Sequence, residues 1–257
     1  MKSKKLIGAL RGVLKALFAF AFWLLVWQIA ADSINKDAAI QNFLFPDIES
    51  TFKALSVLLL SDKFYEAVLF SIMRVLTGLA LGITLGILLG VICKKIPLIN
   101  TLASPFITVL RSTPVASFIV MLWVLLSGDQ LSVFIAFLMV MPIIWQSTCD
   151  GFAGVDNELS ELADLYQFSF GKRFKLLIFP TLKKYLIPAV ISSTGLAWKA
   201  EIAAEIIGYT KKSIGQGIND AKQLLDTPTV FAWTVVIIFF SIILEKGTKY
   251  LLGRLKK

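Results

Sequence analysis

Residues 75–93 read VLTGLALGITLGILLGVIC, nineteen positions without a charge, and Lys94 and Lys95 follow directly. About 20 apolar residues carry a helix through ~30 Å of hydrocarbon, and a pair of lysines marks where such a helix leaves it. Gly78, Gly82, Gly86 and Gly90 recur at every fourth position, so on a helix they form one stripe where a second backbone can approach closely. The stripe reads either as ordinary helix packing or as a surface on which helices glide during a conformational change.

Working outward, five further runs have the same character, at 13–31, 106–128, 130–149, 185–209 and 227–245. The expectation is an all-α, polytopic membrane protein with six transmembrane helices, and the alternating pattern of a membrane barrel is absent. Composition excludes an ordinary soluble domain, because 57% of the 257 residues are hydrophobic and only 17% are charged. The first run is read as a retained span, since its apolar stretch is long and no small-residue cleavage site follows it.

The chain has no histidine, which excludes a Ser-His-Asp triad, a His-ligated metal and a histidine proton relay within it. Its two cysteines, Cys93 and Cys149, each end an apolar run and read as small buried hydrophobes. The net charge of +9 follows topology. With the N-terminus inside, inside segments hold 17 Lys and Arg and outside segments hold 7, with Arg111 and Lys199 within spans. Both termini are therefore expected in the cytoplasm, and no nucleic-acid partner is needed to explain the basicity.

Two longer segments interrupt the spans. The stretch 42–74 mixes apolar residues with Lys53, Asp62, Lys63 and Glu66, and reads as helix near the outer interface running into the second span. The segment 150–184 is the most polar long stretch and falls on the cytoplasmic side. Within it, Glu158, Leu162 and Leu165 sit at helical spacing, so its first part reads as a short amphipathic helix. It is either a solvated loop or a docking site for a cytoplasmic partner. The whole of 1–257 is read as one transmembrane domain, with no phosphate-binding glycine loop of its own.

At this loop the sequence resembles the integral-membrane permease subunits of ATP-binding cassette importers, in particular the nitrate, sulfonate and taurine type. Glu161, Leu162 and Ala163 stand where that family has Glu-Ala-Ala, Leu177 occupies its aliphatic position, and Pro180 falls nineteen residues after Glu161. Gln167 replaces the usual Gly six residues after the Glu, and Gly171 is a place to which the turn could move. Four more stretches resemble the family in order: SIMRVLTGLALGITLGILLG (71–90), LRSTPVASFIVMLWVLLSGDQ (110–130), GLAWKAEIAAEIIG (195–208) and SIGQGINDA (213–221).

The resemblance implies the type I importer permease fold and a subunit that moves a small solute by alternating access without catalysing a reaction. It implies a second permease protomer, as a homodimer; two cytoplasmic ATPases that hold ATP and Mg; and an extracytoplasmic substrate-binding protein. The expected location is the bacterial cell membrane. ATPase coupling falls to Glu161, Leu162, Ala163, Leu165, Gln167, Gly171, Leu177 and Pro180.

Charges within spans point to the route. Arg111 lies between long uncharged stretches, with Pro114 set to break its helix; Trp198, Lys199, Glu201 and Glu205 share the fifth span. Glu201 and Glu205 are four apart on one face, so a positive group, a cation or water must offset them. These six residues are the candidate translocation pathway, with structural pairing as the alternative. A secondary transporter and a membrane-embedded enzyme are the competing classes, but the halves 1–128 and 129–257 show no internal repeat.

Overall fold

The protein is described by a computed structural model covering residues 2–35 and 44–254; Lys36, Lys256 and Lys257, counted above for topology, lie outside the described residues. Eleven α-helices and no strand occur among the described residues. They are α1 Lys2–Ile34, α2 Ile48–Leu59, α3 Asp62–Lys95, α4 Pro97–Ser112, α5 Val115–Trp123, α6 Gly128–Ala153, α7 Asn157–Leu165, α8 Phe170–Arg173, α9 Phe179–Ile207, α10 Ile214–Gln223 and α11 Thr227–Arg254. A single π-turn, Phe174–Ile178, joins α8 to α9.

Four helices are long and apolar enough to cross a membrane: α1 from Leu17, α3, α6 and α11. The expected third span is a broken pair, α4 and α5, bent by 100°. Pro114 stands at the break, where it has no N–H to continue the α4 ladder. The expected fifth span is α9, whose Lys199, Glu201 and Glu205 keep it out of the apolar set. By length and composition alone the described residues thus hold four spans, or five with the bent pair counted as one.

The chain divides into two compact units, Met1–Phe64 with Gly217–Val236, and Tyr65–Gln216 with Ile237–Lys257. In the first, Asp47 caps α2 by accepting from the Ser50 N–H at 2.7 Å, and Trp27 donates to the Pro46 carbonyl at 2.9 Å. Trp27, Phe45 and Phe231 pack as one aromatic group, and Phe64 lies against Trp233. Phe18, Phe20 and Trp23 lie on different sides of α1 and all are exposed, as suits a helix bathed in lipid.

In the second unit, 61% of the apolar window of α6 is buried against 28% for α3, so α6 is the helix around which the unit is built. A Cβ placed on Gly78, Gly82, Gly86 or Gly90 would come within 2.5–2.8 Å of Ala136, Val140, Ile144 or Thr148, respectively. The offset between partners is 58 at every step, so α3 and α6 run parallel. Lipid tails give helices no hydrophobic reason to associate, and this close approach supplies van der Waals contact instead.

Two parallel helices in sequence require the chain between them to return, and residues 96–127 do so. At about 1.5 Å per residue, the end of α3 at Lys95 lies roughly 30 Å along the axis from Arg74, yet Asp129 at the start of α6 bonds Arg74 directly. The broken α4–α5 pair therefore covers the same thickness as the Arg74–Lys95 stretch of α3. Helix α9 runs opposite to α6: Leu182 meets Gly151 and Tyr185 meets Gly154 at one end, and Gly208 meets Leu131 at the other.

Candidate functional site

At the end of the second unit where α6 starts, α3, α6 and α9 converge on Arg74. Its side chain is 6% exposed. The guanidinium donates to Asp129 Oδ1 through Nε at 2.8 Å, with Nη2 2.7 Å from the same oxygen, and to Glu205 Oε1 through Nη1 at 2.8 Å. The Lys211 carbonyl accepts from Nη2 at 3.1 Å and the Lys212 carbonyl from Nη1 at 3.3 Å. The planar fork thus binds two carboxylates and the loop after α9 in one plane, a geometry that an ammonium lacks.

Glu205 is fully buried and fully supplied with donors. Besides Arg74, the Ser71 hydroxyl donates to it at 2.7 Å and the Gly215 N–H at 3.1 Å. Gly215 is required for this approach, because a Cβ there would stand 2.4 Å from the Glu205 Cβ. Ser71 in turn accepts from the Ile214 N–H at 3.1 Å, and Lys212 Nζ pairs with Glu66 at 2.8 Å. Glu201, one turn before Glu205 and also fully buried, has no hydrogen-bond partner among the described residues.

Sequence reasoning asked for a positive group to offset the glutamate face and did not find it. Arg74 is that group, 131 residues from Glu205. The expectation of helix running from 42–74 into the second span agrees with α3, which starts at Asp62, but in the sequence Arg74 counts only among the outer positive residues and is not paired with the glutamates. The available signal was position: Arg74 directly precedes the nineteen uncharged residues of the span.

The six pathway candidates do not form one cluster. Trp198, Glu201 and Glu205 are fully buried, and Trp198 donates to the Ile237 carbonyl at 3.0 Å. Lys199 lies on the exposed side of α9, and Arg111 and Pro114 are exposed at the α4–α5 break. Arg111 borders a cavity of about 260 Å3 with Thr113, Met139, Pro142 and Leu196. No ion pair among the described residues involves Arg111 or Lys199.

The loop candidates form a helix-turn-helix. Asp156 caps α7 through the Glu158 N–H at 2.9 Å. At its other end the Phe168 N–H reaches the Ala163 carbonyl at 2.8 Å, and the Gln167 N–H reaches that of Asp164 at 3.0 Å. This is the Schellman pattern, and it holds Gln167 at φ +49°, in the left-handed region. The turn therefore stays at Gln167 and does not move to Gly171, whose φ is not positive. Arg173 clamps the two arms by donating to Asp164 at 2.5 Å and to Ser160.

Glu161, Leu162 and Leu165 are exposed and, with Glu158, line a surface depression of about 500 Å3. Ala163 was expected to share that side, but it is 3% exposed and packs within the chain. Leu177 is half-buried in the π-turn, and Pro180 stands exposed just after it, in the first turn of α9.

Residues 82–257 match the family described as binding-protein-dependent transport system inner membrane component. The chain is 25% identical to the aliphatic sulfonates transport permease protein SsuC of Bacillus subtilis over 228 residues, covering 88% of this chain and 80% of that one. It is 24% identical to the bicarbonate transport system permease protein CmpB of Synechocystis over 250 residues, covering 93% and 87%. Among solved structures it is similar to an amino acid ABC transporter, with a TM-score of 0.60 at 15% identity over 76% of this chain and 92% of that chain. The chain accordingly belongs to the binding-protein-dependent transport system inner membrane components, the non-catalytic permease subunits of ATP-binding cassette importers, whose ATP is hydrolysed by a partner ATPase.

Proposed function

We propose that this permease works as a homodimer of one-domain, six-span protomers, in which α4–α5 and α9 are the third and fifth crossings. Both termini and the 150–184 loop face the cytoplasm. The distribution of positive residues supports that orientation, and the parallel course of α3 and α6 agrees with the crossing count. An extracytoplasmic binding protein delivers a small solute, and two ATPases holding ATP and Mg drive alternating access from the other side.

The observation that carries this reading is the clamped loop. A segment that transmits force must be short, stiff and docked through an apolar face. The α7–α8 unit is capped at one end, closed by a Schellman turn and tied across by Arg173, while Leu162 and Leu165 are exposed beside Glu161. Leu162→Asp with Leu165→Asp is expected to abolish co-purification of the ATPase while leaving membrane insertion intact. Normal ATPase association in that variant would move the coupling role elsewhere.

The solute route is assigned to two exposed cations, Arg111 beside Pro114 at the α4–α5 break and Lys199 on α9. Both cations are exposed and lack ion-pair partners among the described residues. Such a lining suits a small anion, in keeping with the sulfonates and bicarbonate named for two relatives.

A further inference from the structure

At the opposite end of the second unit from Arg74, a cavity of about 730 Å3 opens between the last turns of α3 and the first turns of α9. Its walls are apolar apart from three lysines, Lys94, Lys95 and Lys183. From these observations we infer that it is a binding site for an anionic phospholipid of the cytoplasmic leaflet, with the phosphate on the lysines and acyl chain along the apolar wall.

Helix register separates the two halves of this site. On α3, Ile87 and Val91 line the cavity one to two turns before Lys94 and Lys95, on the side toward the apolar run. On α9, Leu186 and Ile187 line it one turn after Lys183, again toward the apolar run. The two helices run in opposite senses, so both place lysine at the boundary and aliphatic side chains deeper. A phospholipid has the same order of charge and hydrocarbon. Phe170, Phe174 and Phe179 complete the lining beside the lysines, at the depth where aromatic rings settle at a membrane interface.

The lysines are available for a ligand. None forms an ion pair among the described residues, and the nearest cation–π contact in the loop uses Lys172, on Phe168. Basic pockets between membrane helices on the cytoplasmic side attract anionic headgroups, each lysine near the surface contributing about 1 kcal/mol, roughly a fivefold preference. A water-soluble anion would satisfy the lysines and leave the apolar wall uncovered, which favours a lipid.

The inference rests on the cytoplasmic placement of Lys94 and Lys95, but its test does not depend on which side they face. The full chain, purified in neutral detergent, is offered equal amounts of dioleoyl phosphatidylglycerol and dioleoyl phosphatidylcholine and examined by native mass spectrometry. Wild type is expected to retain phosphatidylglycerol at least about fivefold over phosphatidylcholine. The combined Lys94→Gln, Lys95→Gln and Lys183→Gln variant should lose that preference, and Lys246→Gln with Lys249→Gln should keep it. Ile87→Trp, which fills the apolar half and leaves the lysines in place, should lower phosphatidylglycerol occupancy. Equal retention of the two lipids, a preference that survives the triple variant, or displacement by millimolar inorganic phosphate would overturn the site.

Discussion

Arg74→Gln is the most informative single perturbation of this fold. The substitution removes the cation bonded to fully buried Glu205 while keeping a polar side chain of moderate length. At the observed 2.8 Å, attraction between unit charges is about 6 kcal/mol at an effective dielectric near 20. Desolvation of the pair offsets part of that, and breaking a buried pair from one side typically costs ~3–5 kcal/mol. The upper part of that range is expected here, because Glu205 is fully buried and no solvent can replace the lost cation.

The three charged members should rank in a set order. Glu205→Gln should cost less than Arg74→Gln, since Arg74 keeps Asp129 and the two loop carbonyls. Asp129→Asn should cost less than about 1 kcal/mol, because the Asp129 side chain is 73% exposed and solvent screens it. Equilibrium unfolding in mixed detergent, with the Arg74→Gln/Glu205→Gln double variant closing a mutant cycle, measures each value. An Arg74→Gln protein within about 1 kcal/mol of wild type, or an Asp129→Asn loss as large, would refute the reasoning.

Gly82→Val should cost about 1–3 kcal/mol or more in the same unfolding assay, since its Cβ would lie 2.6 Å from that of Val140, whereas Gly171→Ala, with nothing within 4 Å, should be near neutral. Gln167→Gly should stabilise the loop by about 1 kcal/mol by relieving the left-handed backbone, read as slower tryptic cleavage at Lys172. On a Cys93→Ala/Cys149→Ser background, Lys172→Cys should react with an impermeant thiol reagent in inside-out vesicles and stay unlabelled in sealed cells; rapid labelling from outside would sink the orientation.

The helix order was legible because hydropathy and charge are written along the chain. The run at 75–93 gives its own length, and the glycine stripe gives its own face. What neither gives is the partner. That α6 fills the stripe with Ala136, Val140, Ile144 and Thr148 depends on a 58-residue offset that no local pattern encodes. The need for a cation near Glu205 could be read from spacing, but no local pattern pairs Arg74 with that glutamate. Ala163 misled for a similar reason: one residue from Leu162 is about 100° around a helix, and a nine-residue helix has too few apolar positions to fix which side turns inward.

Burial sorts the intramembrane charges into two kinds. Arg74 and Glu205 sit at 6% and 0% exposure with all their bonds made inside one protomer, so their role is to fix where α3, α6 and α9 meet. Arg111 and Lys199 are exposed and unpaired among the described residues. A cation in a spanning helix facing lipid costs about 2.5–3.5 kcal/mol even on the lenient insertion scale. A lone protomer with both cations in hydrocarbon would carry that cost twice, whereas a second protomer enclosing a wet route against these helices would remove most of it. The charges that a single chain leaves unsatisfied are thus the ones that argue for a pair.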